Sequence, residues 1–221
     1  RVRALNVNGK PGNWSLVGKL TVLAGYEFTA DSTGWLARPG GLWIVEGGSM
    51  STPGAGAVNA VSSAVIDGYF SEFTYEARVR MGFDAGLPTG VVGNDHGLIL
   101  FGSESLTAQN DIVNGYYFHI GQKMTSPGAG LAQFGIDQVI NGVKKPLTGI
   151  GYLSGPVNFN GWNALKVVSR GTTLTFFINN IQVYTLTNTS FNSGRLGVYS
   201  VSHADPSQIF SMDWARLSAP E

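Results

Sequence analysis

The chain has 221 residues, 14 basic and 14 acidic side chains, and no cysteine. Zero net charge without a basic stripe argues against nucleic acid and anionic membrane surfaces as partners. The missing thiols exclude disulfide frameworks, thiolate metal sites and cysteine nucleophiles, and no apolar run approaches the roughly 20 residues of a membrane-spanning helix, so no membrane insertion is expected.

Charged residues make up 13% and glycine 31 positions, a composition suited to many strands joined by tight turns. Helical spacing is almost absent, because Gly or Pro interrupts every window that might carry it. In chain order, SLVGKLTVL (15–23) alternates imperfectly. GLWIVEGGSMST (41–52) reads as strand, turn, strand. FSEFTYEARVRMGF (70–83) sets Phe73, Tyr75, Ala77, Val79 and Met81 on one face and Glu72, Thr74, Glu76, Arg78 and Arg80 on the other. That is a strand with one dry and one wet face. HGLILFGS (96–103) and NGYYFHIG (114–121) are apolar on both faces, and LAQFGIDQVI (131–140) follows. NALKVVSRGTTLTFFINNIQVYTLT (163–187) gives three strands joined at Arg-Gly and Asn-Asn, residues that tolerate positive φ in hairpins. RLGVYSVS (195–202) and IFSMDWARLS (209–218) close the chain. About a dozen strands spaced by turns predict an all-β sandwich or barrel. One domain is expected over 25–221, preceded by accessory strands in 1–24.

Several of these stretches, in this order, resemble one superfamily. GWLARPGGLWIVEGGSMST, YFSEFTYEARVRM, NDHGLILFG with NGYYFHIG, FNGWNALKVVSRGTTLTFFINNIQVYTL, SGRLGVYS and FSMDWARL are similar to successive strands of the concanavalin A-like lectin/glucanase jelly roll. The nearest part of that superfamily is its laminin-G-like and 3-keto-disaccharide-hydrolase-like bacterial branch. The resemblance implies an all-β, two-sheet antiparallel jelly-roll sandwich whose concave sheet forms an open trough in which many members bind glycans. It also implies a structural calcium in some members. Asp213 in the last strand fits such a place, and QNDIVN (109–114) offers Asp111; ordinary turn chemistry explains the same Asn and Asp residues. The E-x-D-x-E carboxylate motif of the glucanases is absent, and Asn179-Asn180 stands where the usual turn is Asn-Gly.

Alternation also nominates a site. In NGYYFHIG, Tyr116, Phe118 and Ile120 share one face and should fill the space between the sheets. Tyr117 and His119 then face the trough, where rings stack on sugar C–H faces and polar tips bond hydroxyls. Tyr199 has the opposite parity to Leu196 and Val198 and joins them, with His203 beyond it. Gln133 shares a face with Asp137, and Asp95 and His96 stand at the entry of HGLILFGS. The candidate ligand-binding set is Tyr117, His119, Gln133, Tyr199, His203, Asp95 and His96, with no catalytic residues nominated. The first expectation is a non-catalytic carbohydrate-binding module of an exported bacterial protein, extracellular or at the cell surface, whose partner is a glycan. The second is a structural or adhesive module that self-assembles by strand addition through its N-terminal segment. The third is a glycoside-acting enzyme using His119, Asp137 or His203.

Overall fold

The computed structural model describes residues 24–27, 33–52, 61–82, 95–126, 129–148, 153–159, 161–187, 190–201 and 209–220. Among the described residues every regular element is a strand. In chain order these are β1 (Ala24–Glu27), β2 (Trp35–Ala37), β3 (Ile44–Glu46), β4 (Ser49–Thr52), β5 (Val61–Ile66), β6 (Phe73–Met81), β7 (Asp95–Gly102) and β8 (Gly115–Ser126). They continue as β9 (Ala129–Ile140), β10 (Val143–Pro146), β11 (Leu153–Ser154), β12 (Asn163–Arg170), β13 (Thr173–Ile178), β14 (Ile181–Thr187), β15 (Arg195–Val201) and β16 (Phe210–Ser218). The first sheet runs β14-β13-β12-β6-β16-β4-β3, with β1 also paired to β16. The second runs β10-β9-β8-β7-β15-β5-β2, with β11 on β9. All the pairings are antiparallel, so the two-sheet sandwich expected from the sequence is what the chain builds. Apart from Ala24, the accessory strands expected in 1–24 lie outside the described residues.

Turn chemistry joins neighbours as the sequence predicts. Asn179 and Asn180 sit at φ 50° and 66° between β13 and β14, and Gly47 and Gly48 at 58° and 80° between β3 and β4. Both pairs match hairpins that need left-handed backbone at the two central residues. Asn141-Gly142 makes a further hairpin into β10.

The core lies between the sheets. From the first sheet it takes Phe73, Tyr75, Ala77 and Val79 of β6, Leu165 and Val167 of β12, and Phe176 of β13. From the second it takes Leu98, Tyr116, Phe118, Ile120, Phe134, Ile136 and Val198. Phe118 packs edge-on to Phe176 at 5.1 Å and to Phe134 at 6.4 Å. Each such burial contributes about 1.5–3 kcal/mol.

The two sheets differ on their outer faces. Along β6 and β12 buried and half-buried positions alternate, as a wetted outer face requires. Along β5 all six residues are buried, and β7 and β15 are buried at every position but the first. A second cluster explains this. Val61, Val65, Ile99, Tyr117, Val139, Tyr199 and Val201 face outward from the second sheet and pack against Ile112 and Leu106 of the 103–114 segment.

Candidate functional site

The outer face of the second sheet is built in two halves. One half is sealed by residues 103–114. That cover is internally tied by the bridge Leu106–Ile112, by the Thr107 hydroxyl accepting the Asp111 N–H at 3.2 Å and by the Ser103 hydroxyl accepting the Val113 N–H at 3.0 Å. It is clamped to the sheet from three sides. Arg38 Nη2 donates to the Ser103 carbonyl at 2.6 Å, Gly142 N–H donates to the Val113 carbonyl at 2.8 Å, and Lys144 Nζ lies 3.1 Å from Asp111 Oδ2. Glu104, at the start of the cover, accepts from Arg195 Nε and from the Tyr69 hydroxyl; these bonds, chiefly that of Arg195, hold its carboxyl below the usual range. Burial pushes the Arg38 guanidinium down from its ordinary value, against the pull of Glu104.

Tyr117 and Tyr199 lie under this cover. Their rings are 4.0 Å apart and 0% and 2% exposed. The Tyr117 hydroxyl donates to Asp111 Oδ1, and Lys144 Nζ stands 4.8 Å above the same ring. Burial, with the Asp111 charge next, drives the Tyr117 phenol well above its ordinary value. Alternation therefore assigns both rings to the correct face, and the folded-back segment seals them from a ligand. His96 takes the opposite face. Its neighbour Asp95 is on the outward parity, so His96 points between the sheets, fully buried, with its ring 5.9 Å from Phe210. It is a core residue and leaves the candidate set. His203 lies outside the described residues.

The other half of the face is polar: Asp95, Gln133 and Asp137 are half-buried, and His119 is buried beneath them at 5% exposure. His119 stands opposite Gly97 on β7 and Gly135 on β9. Gly97 permits the strands to meet, since a Cβ there would fall 2.1 Å from the Phe118 carbonyl oxygen. Gly135 leaves a slot for the imidazole. A Cβ at that position would stand 2.7 Å from His119 Nε2 and 2.8 Å from Cε1. The ring lies along this slot, with Nε2 3.4 Å from Asp137 Oδ2 and Nδ1 3.9 Å from Asp95 Oδ2. Asp95 and Asp137 are 15% and 19% exposed at their side chains. Gln133, opposite Gly121, is half-buried on the same face. The structure thus brings together Asp95, His119 and Gln133 of the nominated residues and adds Asp137, which alternation had placed beside Gln133. Two carboxylates bracketing one imidazole, with an amide beside them, make a dense set of acceptors for hydroxyl donors.

The residues named for calcium are otherwise engaged. Asp213 Oδ2 accepts from Arg78 Nη1 at 2.5 Å on the outer face of the first sheet. Asp111 holds Tyr117 and Lys144. Each carboxylate already faces a cation, and among the described residues no group of three or more His, Cys, Asp or Glu side chains could hold a metal ion. These side chains do not fit a calcium site. Of the tryptophans, Trp35 is buried, Trp43 packs edge-on to Phe210 at 5.8 Å, and Trp162 lies beneath Arg78 and Arg80.

No protein-family model matches the chain, and no curated protein matches it. Solved structures do. The carbohydrate binding module CBM66 from Bacillus subtilis is similar with a TM-score of 0.56 at 16% identity, over 81% of this chain and 92% of that one. The metal-free carbohydrate recognition domain of Emp46p is similar with a TM-score of 0.58 at 12% identity, over 84% and 88% of the two chains. A prokaryotic beta-1,3-1,4-glucanase (lichenase) derived from a mouse hindgut metagenome is similar with a TM-score of 0.58 at 8% identity, over 90% of this chain and all of that one. At these identities the likeness is one of fold. The chain has the concanavalin A-like lectin/glucanase jelly roll, a fold that carries both carbohydrate-binding domains and glucanases.

Proposed function

We propose that the chain is a non-catalytic glycan-binding module that receives a saccharide at the partly exposed Asp95, Gln133 and Asp137, positioned by the buried His119, on the polar half of the second sheet's outer face. The observation that carries this reading is the bracket itself. Two partly exposed carboxylates flank His119 at 3.9 and 3.4 Å, in a bed kept low by Gly97, Gly121 and Gly135, beside aromatic rings that are sealed and hold the sheet in place. Carboxylates and an amide at a shallow surface accept and donate to sugar hydroxyls. Binding is favoured over hydrolysis because a glycosidase sets its two carboxyl groups on either side of a scissile bond, whereas here an imidazole fills the space between them. Fold neighbours that are themselves carbohydrate-binding modules support the same reading. As a module of this kind we place it outside the cell or at its surface, on an exported bacterial protein.

The test is calorimetry of the chain against a panel of soluble neutral polysaccharides, with Asp137→Asn and His119→Gln alongside and thermal melts as the folding control. Binding to at least one glycan, weakened about tenfold or more by either substitution at unchanged melting temperature, is the expected result. Silence across the panel, or binding indifferent to both substitutions, overturns the reading. Release of reducing sugar from any bound glycan would replace it with an enzymatic one, with the His119–Asp137 pair as the general base. A second reading, assembly through strand addition, draws on β1. This short strand pairs with Trp214–Leu217 of β16, beside the stretch Phe210–Met212 that β4 occupies; among the described residues no strand pairs with its other side, and unpaired strand backbone recruits neighbours. Equal monomeric size for the whole chain and for residues 25–221 rules it out.

A further inference from the structure

The first sheet's outer face holds a groove that the proposed function leaves unused. It occupies about 520 Å³ over β12, β13 and β14. Strand register explains its shape. Val168 stands opposite Thr175, and these short, half-buried side chains form the floor. On one side of them Lys166 stands opposite Phe177, which in turn stands opposite Gln182; on the other Arg170 stands opposite Thr173. Four residues of strand separate the two cations, a span of about 13 Å.

The charges are what give this groove a ligand. Lys166 Nζ is held 4.7 Å above the Phe177 ring, which orients the ammonium at one end of the trough. Among the described residues neither Lys166 nor Arg170 is within ion-pairing distance of a carboxylate. Two acids are neighbours in the sheet without pairing to these cations. Glu76 is the register partner of Lys166 on β6, and Glu72 accepts the Gly171 N–H at 2.9 Å. Two cations without a carboxylate partner among the described residues, at the ends of a floor of aliphatic and hydroxyl groups with the Gln182 amide on the rim, complement a chain of hydroxyls bearing spaced negative charges.

We propose that this groove is a second binding surface, specific for a carboxylate-bearing oligosaccharide. Arg170 takes a uronate carboxylate through its planar fork and Lys166 a second one as a point charge. Thr173, Thr175 and Gln182 bond the hydroxyls between. A nucleic acid fits less well. It needs an extended basic track and open rings for its bases, and here there are two cations and one ring, whose face Lys166 already covers.

The experiment is calorimetry of the whole chain with polygalacturonate oligomers and with the same oligomers fully methyl-esterified, which keep the sugar and lose the charge. The variants are Lys166→Gln with Arg170→Gln, and separately Asp137→Asn on the opposite sheet. The acidic oligomer should bind, the ester should not, and the double variant should lose about tenfold or more in affinity at unchanged melting temperature. Asp137→Asn should leave this binding intact, so that failure of the first site and failure of this one are read separately. Equal binding of acid and ester, retention of affinity in the double variant, loss of it in Asp137→Asn, or equal binding of single-stranded DNA would each overturn the proposal.

Discussion

Replacing Tyr117 by Phe isolates what the cover contributes. The ring is fully buried, packed at a tilt against Tyr199 at 4.0 Å and capped by Lys144 at 4.8 Å, and Phe retains all of that packing. Only the hydroxyl is lost, and with it the donor to Asp111 and a long acceptor contact of 3.5 Å from Ile112 N–H. A hydrogen bond to a charged group contributes about 1.5–3 kcal/mol, and Lys144 still partners Asp111, so a cost of about 2 kcal/mol is expected. For a domain of this size that lowers the melting temperature by about 4–8 °C. Tyr117→Ala, which removes the ring as well, should cost about 3–5 kcal/mol. The phenol also imposes a pH dependence. Its folded-state value is raised, so the native state keeps the proton after the unfolded chain has released it. The stabilisation is complete below about pH 10, where the unfolded tyrosine is still protonated, and declines as pH rises from there towards the folded value. Melts from pH 7 to 11 should show an alkaline decline that is shallower in Tyr117→Phe. A loss below about 0.5 kcal/mol at pH 7, with an unchanged alkaline slope, would refute the cover as described.

Gly135→Ala should displace the imidazole, because its Cβ falls 2.7 Å from His119 Nε2; saccharide affinity should drop while the melting temperature changes little, as calorimetry and melts together will tell. Gly97→Ala meets backbone 2.1 Å away, which yields less readily than a side chain, and should cost about 3 kcal/mol in denaturant titration. Asn180→Gly, at φ 66° in an exposed hairpin corner, should raise stability by up to about 1 kcal/mol in the same assay. Asp213→Asn breaks a partly exposed pair with Arg78 and should cost less than about 1 kcal/mol, with no calcium-dependent shift in the melting temperature of either protein.

Alternation carried most of the fold. In β6 and β12 every second residue is buried, as the period of two requires, and in β8 it sorted Tyr116 and Phe118 from Tyr117 and His119 without error. It could not say what lies above a face. The apolar character of HGLILFGS on both sides was the one sign that a segment folds back over the sheet, but the covering residues 103–114 are turn-rich and look like any surface loop. Hence Tyr117 and Tyr199 read as a sugar platform when they are packing. His96 failed for a different reason. The strand begins one residue earlier than the apolar run suggests, at Asp95, and that residue takes the outward position. Asp137 was legible from its spacing to Gln133, yet its significance depends on Gly135, whose missing side chain lets the imidazole lean across two strands. Nothing in a linear pattern encodes that tilt.

The division of one sheet surface into a roofed half and a polar half means that durability and, on the proposed reading, recognition draw on different side chains. Changes around His119 can retune what is recognised without loosening Tyr117, Tyr199 and their roof. Such a surface can diversify its specificity quickly, because the scaffold beneath it does not have to be rebuilt each time.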